Sequence, residues 1–293
     1  MLQAKAVKAV AVIIVSWNVR KPLQDCLESI FRLPKDEQPR QVIVVDNAST
    51  DGTVTMLREQ FSAVIVIANT ENKGFAAANN QGLRQTQAPA VLLLNPDTIV
   101  HPGALPRLLQ AFIDHPKAGV VGPKLLNADG SRQPSVRRLP TTAALAATAL
   151  KLRHLWPSFP ALKKHMAEDL DPEQEQVVGQ VMGAAFLIRR ELINSIGLLD
   201  EGFYVWLEEV DYCRRAADAG WETWYVPQAL VTHLGEASFK QQPNVLRQRR
   251  WMRSVQHYAK KHFNIFQRVF LWKCGWLGVG MTWLATRGKG VQV

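Results

Sequence analysis

The sequence predicts an α/β fold: a mostly parallel central sheet with helices on both faces, followed by C-terminal helices. Three observations predict it. The runs Val10–Val15, Val42–Val45, Val64–Ile67 and Val91–Leu94 are apolar throughout instead of alternating, as strands buried on both faces must be. Helix-like segments separate them at Pro22–Phe31, Thr53–Phe61 and Phe75–Arg84, which suits crossovers between parallel strands. At 293 residues and 47% apolar content, the chain can bury one sizeable core with a small appendage.

Taken in order, the first run reads VAVIIVSWN. The residues before it carry Lys5 and Lys8 like a signal peptide, but the apolar run is short, lacks a cleavage site and leads into Ser16-Trp17-Asn18. It is read as the first core strand. The second run ends in VDNASTDGT, where Asp51 or Thr53 is placed to cap the next helix. The third leads to NKGFAAANN, with Gly74 at a helix start. The fourth, VLLLNPDTIV, breaks at Asn95-Pro96 and presents Asp97. Gly103–Asp114 is a further helix, and Gly119–Gly122, Ala184–Ile188 and Glu222–Val226 are later strands. From about Thr141 to Val178 the rhythm breaks into an Ala-rich segment, a Trp-Pro-Ser-Phe-Pro turn and an acidic patch, read as an irregular or helical excursion over the sheet. After His233 the alternation stops, and Val245–Phe263 and Ile265–Thr286 read as two helices.

Three cysteines lie far apart without metal-ligand spacing, which points to a reducing cytosol. The net charge of +10 is concentrated at one end. From Ala237 onward there are 11 Lys/Arg and no Asp or Glu, leaving 24 basic and 25 acidic residues, a net of −1, in the preceding 236. A near-neutral body followed by a wholly basic tail is a footprint for an anionic surface.

Ligands of open parallel sheets sit outside the carboxyl ends of the strands. Here those ends are Ser16-Trp17-Asn18, Asp46 to Gly52, Asn69 to Gly74 and Asn95-Pro96-Asp97. Turn and cap chemistry accounts for any one of them; four polar ends on one edge point to a ligand. Neither G-x-G-x-x-G nor G-x-x-x-x-G-K-[ST] occurs, so a nucleotide diphosphate must be held otherwise. The free N–H groups of the helix start at Gly74 suit it, and so does a divalent cation, Mg²⁺ or Mn²⁺, bridging Asp97 to phosphate oxygens.

A second acidic cluster, Glu208, Glu209 and Asp211, opens a helix that ends at Gly220. Acids in a first turn favour the helix dipole, and Asp211 can pair with Arg215 at i,i+4. Following Phe203-Tyr204-Val205-Trp206-Leu207, they are expected against apolar surroundings, which raise a carboxyl's proton affinity and suit a general base. His233 is a possible metal ligand or a structural histidine.

Together VAVIIVSWN, VIVVDNASTDGT, NKGFAAANN, VLLLNPDT, MGAAFLIRRE and FYVWLEEVDYCRRAADAGW resemble, in order and rough spacing, the family 2 glycosyltransferases over about Val10 to Ser238. The likeness is greatest to the bacterial rhamnosyltransferase-like branch that builds cell-surface polysaccharides such as lipopolysaccharide. The resemblance implies an inverting enzyme with the Rossmann-like A-type glycosyltransferase fold. It implies that residues 1–238 form the catalytic domain, with a nucleotide-binding half to 120 and an acceptor-binding half from 121, and that 239–293 form a helical segment. Ser16, Asn18, Asp46 and Asn47 would line the nucleotide pocket, and Asn72, Gly74, Phe75 and Asn79 would border the nucleotide and its diphosphate. Asn95-Pro96-Asp97 occupies the place of the family's D-x-D motif, with Asn95 for the first acid and Asp97 as metal ligand; His233 matches a position that completes the metal site. The family's base sits in a Glu-Asp pair, here Glu208-Glu209 followed by Asp211, which leaves Glu209, the favoured residue, and Asp211 as alternatives. The donor would be a UDP or dTDP sugar and the acceptor a glycan or a polyprenyl-diphosphate-linked sugar.

VLRQRRWMRSVQHYAKKHF interleaves cations with Trp251, Tyr258 and Phe263. The apolar run that follows is about the minimum for a membrane span and is interrupted by Lys273. Trp272, Trp276 and Trp283 fall on one helical face flanked by cations, which suits a helix lying in a bilayer interface; a packed helix and a true span are the alternatives. A cytoplasmic enzyme held at the inner face of the membrane is expected, with an acceptor's diphosphate near the basic patch. Two other readings compete. A nucleic-acid-binding protein would use the basic, aromatic tail, but the near-neutral body speaks against it, and no nucleic acid is expected as partner. A sugar nucleotidyltransferase would need a Gly-rich, Lys/Arg-bearing loop after the first strand, which is missing.

Overall fold

A computed structural model describes residues 10–235 and 244–286. Strand β1 (Val10–Ser16) leads into helix α1 (Arg20–Phe31), β2 (Gln41–Asp46) into α2 (Thr53–Gln60), and β3 (Ile65–Ala68) into α3 (Phe75–Arg84). Then come β4 (Ala90–Leu94), β5 (Thr98–Val100), α4 (Ala104–Asp114), β6 (Ala118–Leu126), β7 (Arg132–Gln133) and β8 (Val136–Arg137). The excursion holds α5 (Thr142–Ala149), α6 (Leu152–Leu155) and α7 (Pro160–His165), and returns through β9 (Gln176–Val178) and β10 (Gln180–Val181). The chain continues with β11 (Ala185–Arg189), α8 (Arg190–Ile196), α9 (Glu208–Asp218), β12 (Glu222–His233), α10 (Asn244–His262) and α11 (Ile265–Thr286). The boundary expected at Ser238 and the flanking Arg287 lie outside the described residues.

The main sheet runs in the order β3-β2-β1-β4-β11-β6-β12-β5. Strands β3, β2, β1 and β4 are mutually parallel. Strand β11 is antiparallel between β4 and β6, whereas β12 again runs parallel to β6. The sheet is therefore mostly parallel, as expected. Alternate residues of β1 face opposite layers: Val10, Val12 and Ile14 pack with Leu23, Leu27, Met56 and Leu108 of α1, α2 and α4. Ile13 and Val15 pack with Ala76 and Leu83 of α3 and with Tyr212 and Cys213 of α9.

Two strands depart from the periodicity. Strand β12 runs through to His233 and does not stop at Val226, because a register shift between Val226 and Leu230 carries it past Pro227. Strand β5 is three residues long, too short to leave a pattern. Its antiparallel pairing sets His233 opposite Thr98, and so brings the end of β12 beside Asp97.

The C-terminal helices share a third core with the excursion and the loop before α9. Leu145 and Ala149 of α5, Phe203, Leu207 and Val210, Val255 and Tyr258 of α10, and Leu271 and Cys274 of α11 form one cluster. Asn264 and Gln267 make a reciprocal capping box at the start of α11, each backbone N–H bonding the other's side-chain oxygen at 3.0 Å. Gly278 lets α11 approach α5 closely, since a Cβ there would lie 2.1 Å from the Ala149 carbonyl oxygen.

An ionic cluster joins α10 to α9. Asp211, with no exposed side-chain surface, receives Arg215 Nε at 2.8 Å, Lys261 Nζ at 2.7 Å and His262 Nε2 at 2.8 Å. Lys261 also bonds Asp200 at 2.6 Å, and His257 joins Asp200 at 3.0 Å. Burial alone would raise the Asp211 carboxyl, but the bonds from His262 and Lys261 outweigh it and hold it below the usual aspartate range. Removing one partner of a buried ion cluster leaves the others uncompensated. Asp211→Asn is therefore expected to cost about 3 kcal/mol in urea unfolding at neutral pH. Because the folded-state pKa is depressed, that contribution is present above the ordinary aspartate value of 3.8 and is lost as pH falls through the folded value. The gap between wild type and variant should shrink accordingly in acid.

Candidate active site

Along the carboxyl edge of the sheet lies a cavity of about 510 Å³, walled by Asn47, Asn72, Gly74, Phe75, Asn95, Asp97, Glu208, Glu209 and His233 among the residues expected from sequence. That size suits a small-molecule substrate. Nine residues drawn from five separate segments thus share one space.

On one side, β4 ends at Leu94 and Asn95 turns towards the end of β12. His233 Nε2 lies 3.4 Å from Asp97 Oδ1 and 3.3 Å from Asn95 Nδ2. His233 Nδ1 is 2.8 Å from Gln133 Oε1, and Gln133 Nε2 is itself spent as a donor to Asn127 Oδ1 at 2.9 Å. This order makes Nδ1–H the donor to Gln133 and leaves Nε2 between the Asn95 amide and the Asp97 carboxylate. Two electron-pair donors facing each other at this separation fit a cation between them. Among the described residues no group of three or more His, Cys, Asp and Glu could hold a metal ion. A cation held here would find two protein ligands, Asp97 and His233, and would need others to complete its shell.

On another side stand Glu208 and Glu209 in the first turn of α9. One carboxylate oxygen of each is buried without a hydrogen-bond partner. Burial, with repulsion from Glu209, pushes the Glu208 carboxyl well above its usual range. Burial also raises Glu209, although Arg137 works in the opposite direction. Neither acid can be explained as a dipole-stabilising surface residue.

The floor is set by close backbone contact. Gly74, with φ +85°, precedes α3, and a Cβ there would lie 2.6 Å from the Tyr204 carbonyl oxygen. That oxygen accepts the Phe75 N–H at 2.7 Å. The loop from Phe203 to Leu207 includes Trp206 and Leu207 in the left-handed region, at φ 65° and 71°. Ser254 of α10 steadies it by donating to the Val205 carbonyl at 2.7 Å.

The remaining expected residues do not line the cavity. Ser16 and Asp46 are buried side by side in register at the ends of β1 and β2, next to Trp17 and Asn47, which do line it. Ser16 Oγ and Asp46 Oδ1 have no hydrogen-bond partner, while Asp46 Oδ2 accepts from Ser49 N at 2.9 Å. Asn18 ties two strand-end loops together: its N–H donates to Ser49 Oγ at 2.9 Å and its Oδ1 accepts from Thr50 N at 2.8 Å. Asn79 donates to the Phe75 carbonyl at 3.0 Å within α3. Asp51 spans two helix starts, accepting from Arg20 N at 2.9 Å and Thr53 N at 3.1 Å, so the expected capping role extends to α1. Asp211, the alternative to Glu209 as base, does not line the cavity and is engaged by Arg215, Lys261 and His262.

Several lining residues escaped sequence reading: Trp17, Gln133, Arg137, Tyr204, Arg247 and Arg250. Gln133 and Arg137 sit on two-residue strands with no periodic signal. The RQRR run of α10 is legible as part of a basic patch for an anionic partner, but not as cavity lining.

Comparison with known proteins gives the family and the fold. A family model described as Glycosyl transferase family 2 matches residues 11–196. An N-acetylglucosaminyl-diphospho-decaprenol L-rhamnosyltransferase of Mycobacterium tuberculosis is 33% identical over 208 residues, 67% of each chain. The low-salt glycan biosynthesis hexosyltransferase Agl10 of Haloferax volcanii is 25% identical over 212 residues, 70% of this chain and 61% of that protein. Among solved structures, the mannosyltransferase PcManGT of Pyrobaculum calidifontis, in complex with GDP-Man and Mn²⁺, matches with a TM-score of 0.57 at 20% identity, over 96% of this chain and 76% of that one. GalNAc-T7 with UDP, GalNAc and Mn²⁺ gives a TM-score of 0.57 at 15% identity over 76% of this chain, which spans 43% of it. These two likenesses establish the fold, the A-type glycosyltransferase fold. On the family match and the rhamnosyltransferase relative together, the chain belongs to glycosyltransferase family 2.

Proposed function

We propose that the protein transfers a sugar, rhamnose by likeness to the mycobacterial relative, from a UDP or dTDP sugar to a hydroxyl of a glycan or polyprenyl-diphosphate-linked acceptor in bacterial cell-surface polysaccharide synthesis. The observation that carries this is the opening of Asp97–His233 and of Glu208–Glu209 onto one cavity. In this reading residues 1–120 serve the nucleotide, 121–238 supply the base and acceptor side, and the helices beyond 238 serve the membrane end.

Glu209 is the proposed base. An acceptor hydroxyl is a poor nucleophile, and a carboxylate within hydrogen-bond reach takes its proton as the oxygen attacks the anomeric carbon. In-line attack opposite the diphosphate inverts that carbon. The carboxyl's raised proton affinity makes it a better proton acceptor than a solvated glutamate, provided the pH lies above its pKa. Asp97 and His233, with Asn95 beside them, would hold the cation, Mg²⁺ or Mn²⁺, against the donor's diphosphate. When bound it offsets the negative charge that grows on the leaving group. Ser16, Asp46 and Asn47 are assigned to the nucleoside, and Asn72, Gly74 and Phe75 to its diphosphate end; Asn18 and Asn79 hold these loops in place.

No helix among the described residues is long and apolar enough to cross a membrane. One side of α11 packs on the protein through Leu271 and Cys274, while Phe266 (82% exposed), Phe270, Trp276 (59%), Leu277 and Leu284 face outward. With the cations of α10 and α11, this face supports peripheral attachment to an anionic bilayer surface.

Incubation with a panel of nucleotide sugars, with and without Mn²⁺, should reveal one donor whose cleavage releases nucleoside diphosphate; release of pyrophosphate instead would indicate a nucleotidyltransferase. Asp97→Ala is expected to lower Mn²⁺-dependent transfer at least about 100-fold at unchanged melting temperature; undiminished transfer would reject its role. Glu209→Gln should cost about 10²–10⁴ in kcat. In the wild type, kcat/KM should rise with pH along a limb above the ordinary glutamate value of 4.5, because the base acts deprotonated and its pKa is raised. Replacing Trp276 and Leu277 by Glu should weaken co-sedimentation with anionic vesicles about tenfold, without affecting nucleotide binding.

A further inference from the structure

We propose that Arg137, Arg247 and Arg250 form a binding wall for the diphosphate of a lipid-linked acceptor. The inference rests on the glycosyltransferase reading above and adds where the acceptor's charged group is held.

The three guanidinium groups reach the same cavity from β8 and α10, elements more than 100 residues apart in sequence. Arg137 is half-buried and within Coulombic reach of Glu209. Burial disfavours its charge and Glu209 favours it. Arg250 lies 5.0 Å over the Tyr204 ring, a cation–π placement. The main chain of Tyr204 is held in turn, its carbonyl accepting the N–H of Phe75. A planar fork of N–H donors matches phosphate oxygens two at a time, which a lysine cannot do.

The order of features along the molecule assigns the ligand. Asp97 and His233 mark the donor's diphosphate, and Glu209 marks the attacking hydroxyl. Arg137 is within Coulombic reach of Glu209, and α11 folds back along α10, so that a Cβ at Gly275 would meet Met252 and one at Gly278 would lie 3.5 Å from Gln248 Nε2; the exposed Trp276 and Leu277 thus lie beside the stretch of α10 that carries Arg247 and Arg250. Carboxylate, guanidinium groups and apolar helix thus follow one another as hydroxyl-bearing sugar, diphosphate and hydrocarbon do in a lipid-linked acceptor. A donor nucleotide has no apolar chain to match that last feature.

The test is calorimetric titration of the full chain, without turnover, using farnesyl diphosphate, farnesol, UDP and dTDP as probes. The wild type is expected to bind farnesyl diphosphate at least about tenfold more tightly than farnesol, a preference that charge-assisted bonds to the diphosphate would supply. Arg247→Ala with Arg250→Ala should remove most of that preference and leave UDP and dTDP affinity within about twofold. Arg250→Lys, which keeps the charge and stem, should retain part of it and guards against loss of fold as the cause. An unchanged preference in the double variant overturns the proposal. So does an equal loss of UDP or dTDP affinity, which would assign the wall to the donor. Because no transfer is measured, a protein that binds as expected but moves no sugar would refute the catalytic reading while leaving this wall in place.

Discussion

The site depends on a buried carboxylate that does not line the cavity. Asp211 gathers Arg215, Lys261 and His262 where none of its own side chain meets solvent, and through Lys261 it is linked to Asp200 and His257. Such a cluster is costly to desolvate and is worth little unless its members are fully engaged, as they are here. Its effect is positional. It clamps α10 against α9, and α10 in turn holds the loop from Phe203 to Leu207, through Ser254, in a backbone conformation that non-glycine residues rarely adopt. That loop supplies one wall of the cavity and sets the entry to α9, where Glu208 and Glu209 begin.

Three acids within four residues of one helix therefore meet opposite fates. Asp211 is surrounded by donors and stays ionised more readily than a free aspartate. In the same turn Glu208 is buried and Glu209 half-buried, an oxygen of each is unsatisfied, and both hold protons more tightly than a free glutamate. Helix position alone treats all three alike. Partner geometry separates a group that anchors from groups able to exchange a proton. The other pole of the cavity follows the same logic: Gln133 claims one nitrogen of His233, and the second is left facing Asp97.

What was legible in the sequence were the features with local signals. Strands β1, β2 and β4 could be read because burial on both faces leaves only apolar residues, and their polar ends marked the edge where the cavity lies. The pairing of β5 with β12 was not legible, since three residues carry no period and a register shift hides the length of β12. Consequently the approach of His233 to Asp97 could be inferred only by resemblance. Asp211 was ambiguous for a related reason: its partners Lys261 and His262 lie some fifty residues on, and only packing brings them together. The basic tail is legible as a patch for an anionic surface, but sequence does not say which arginines of a helix turn inward to the cavity.

The tight passage at Gly74 limits how this enzyme can vary. There the main chain of one segment rests on the main chain of another, with no room for even a methyl group between them. Width at that point cannot be adjusted by exchanging side chains, as it could across an ordinary packed contact. A descendant with a wider or narrower cavity would have to change elsewhere in its lining, such as at Trp17 or Met182, while this crossing stayed as it is.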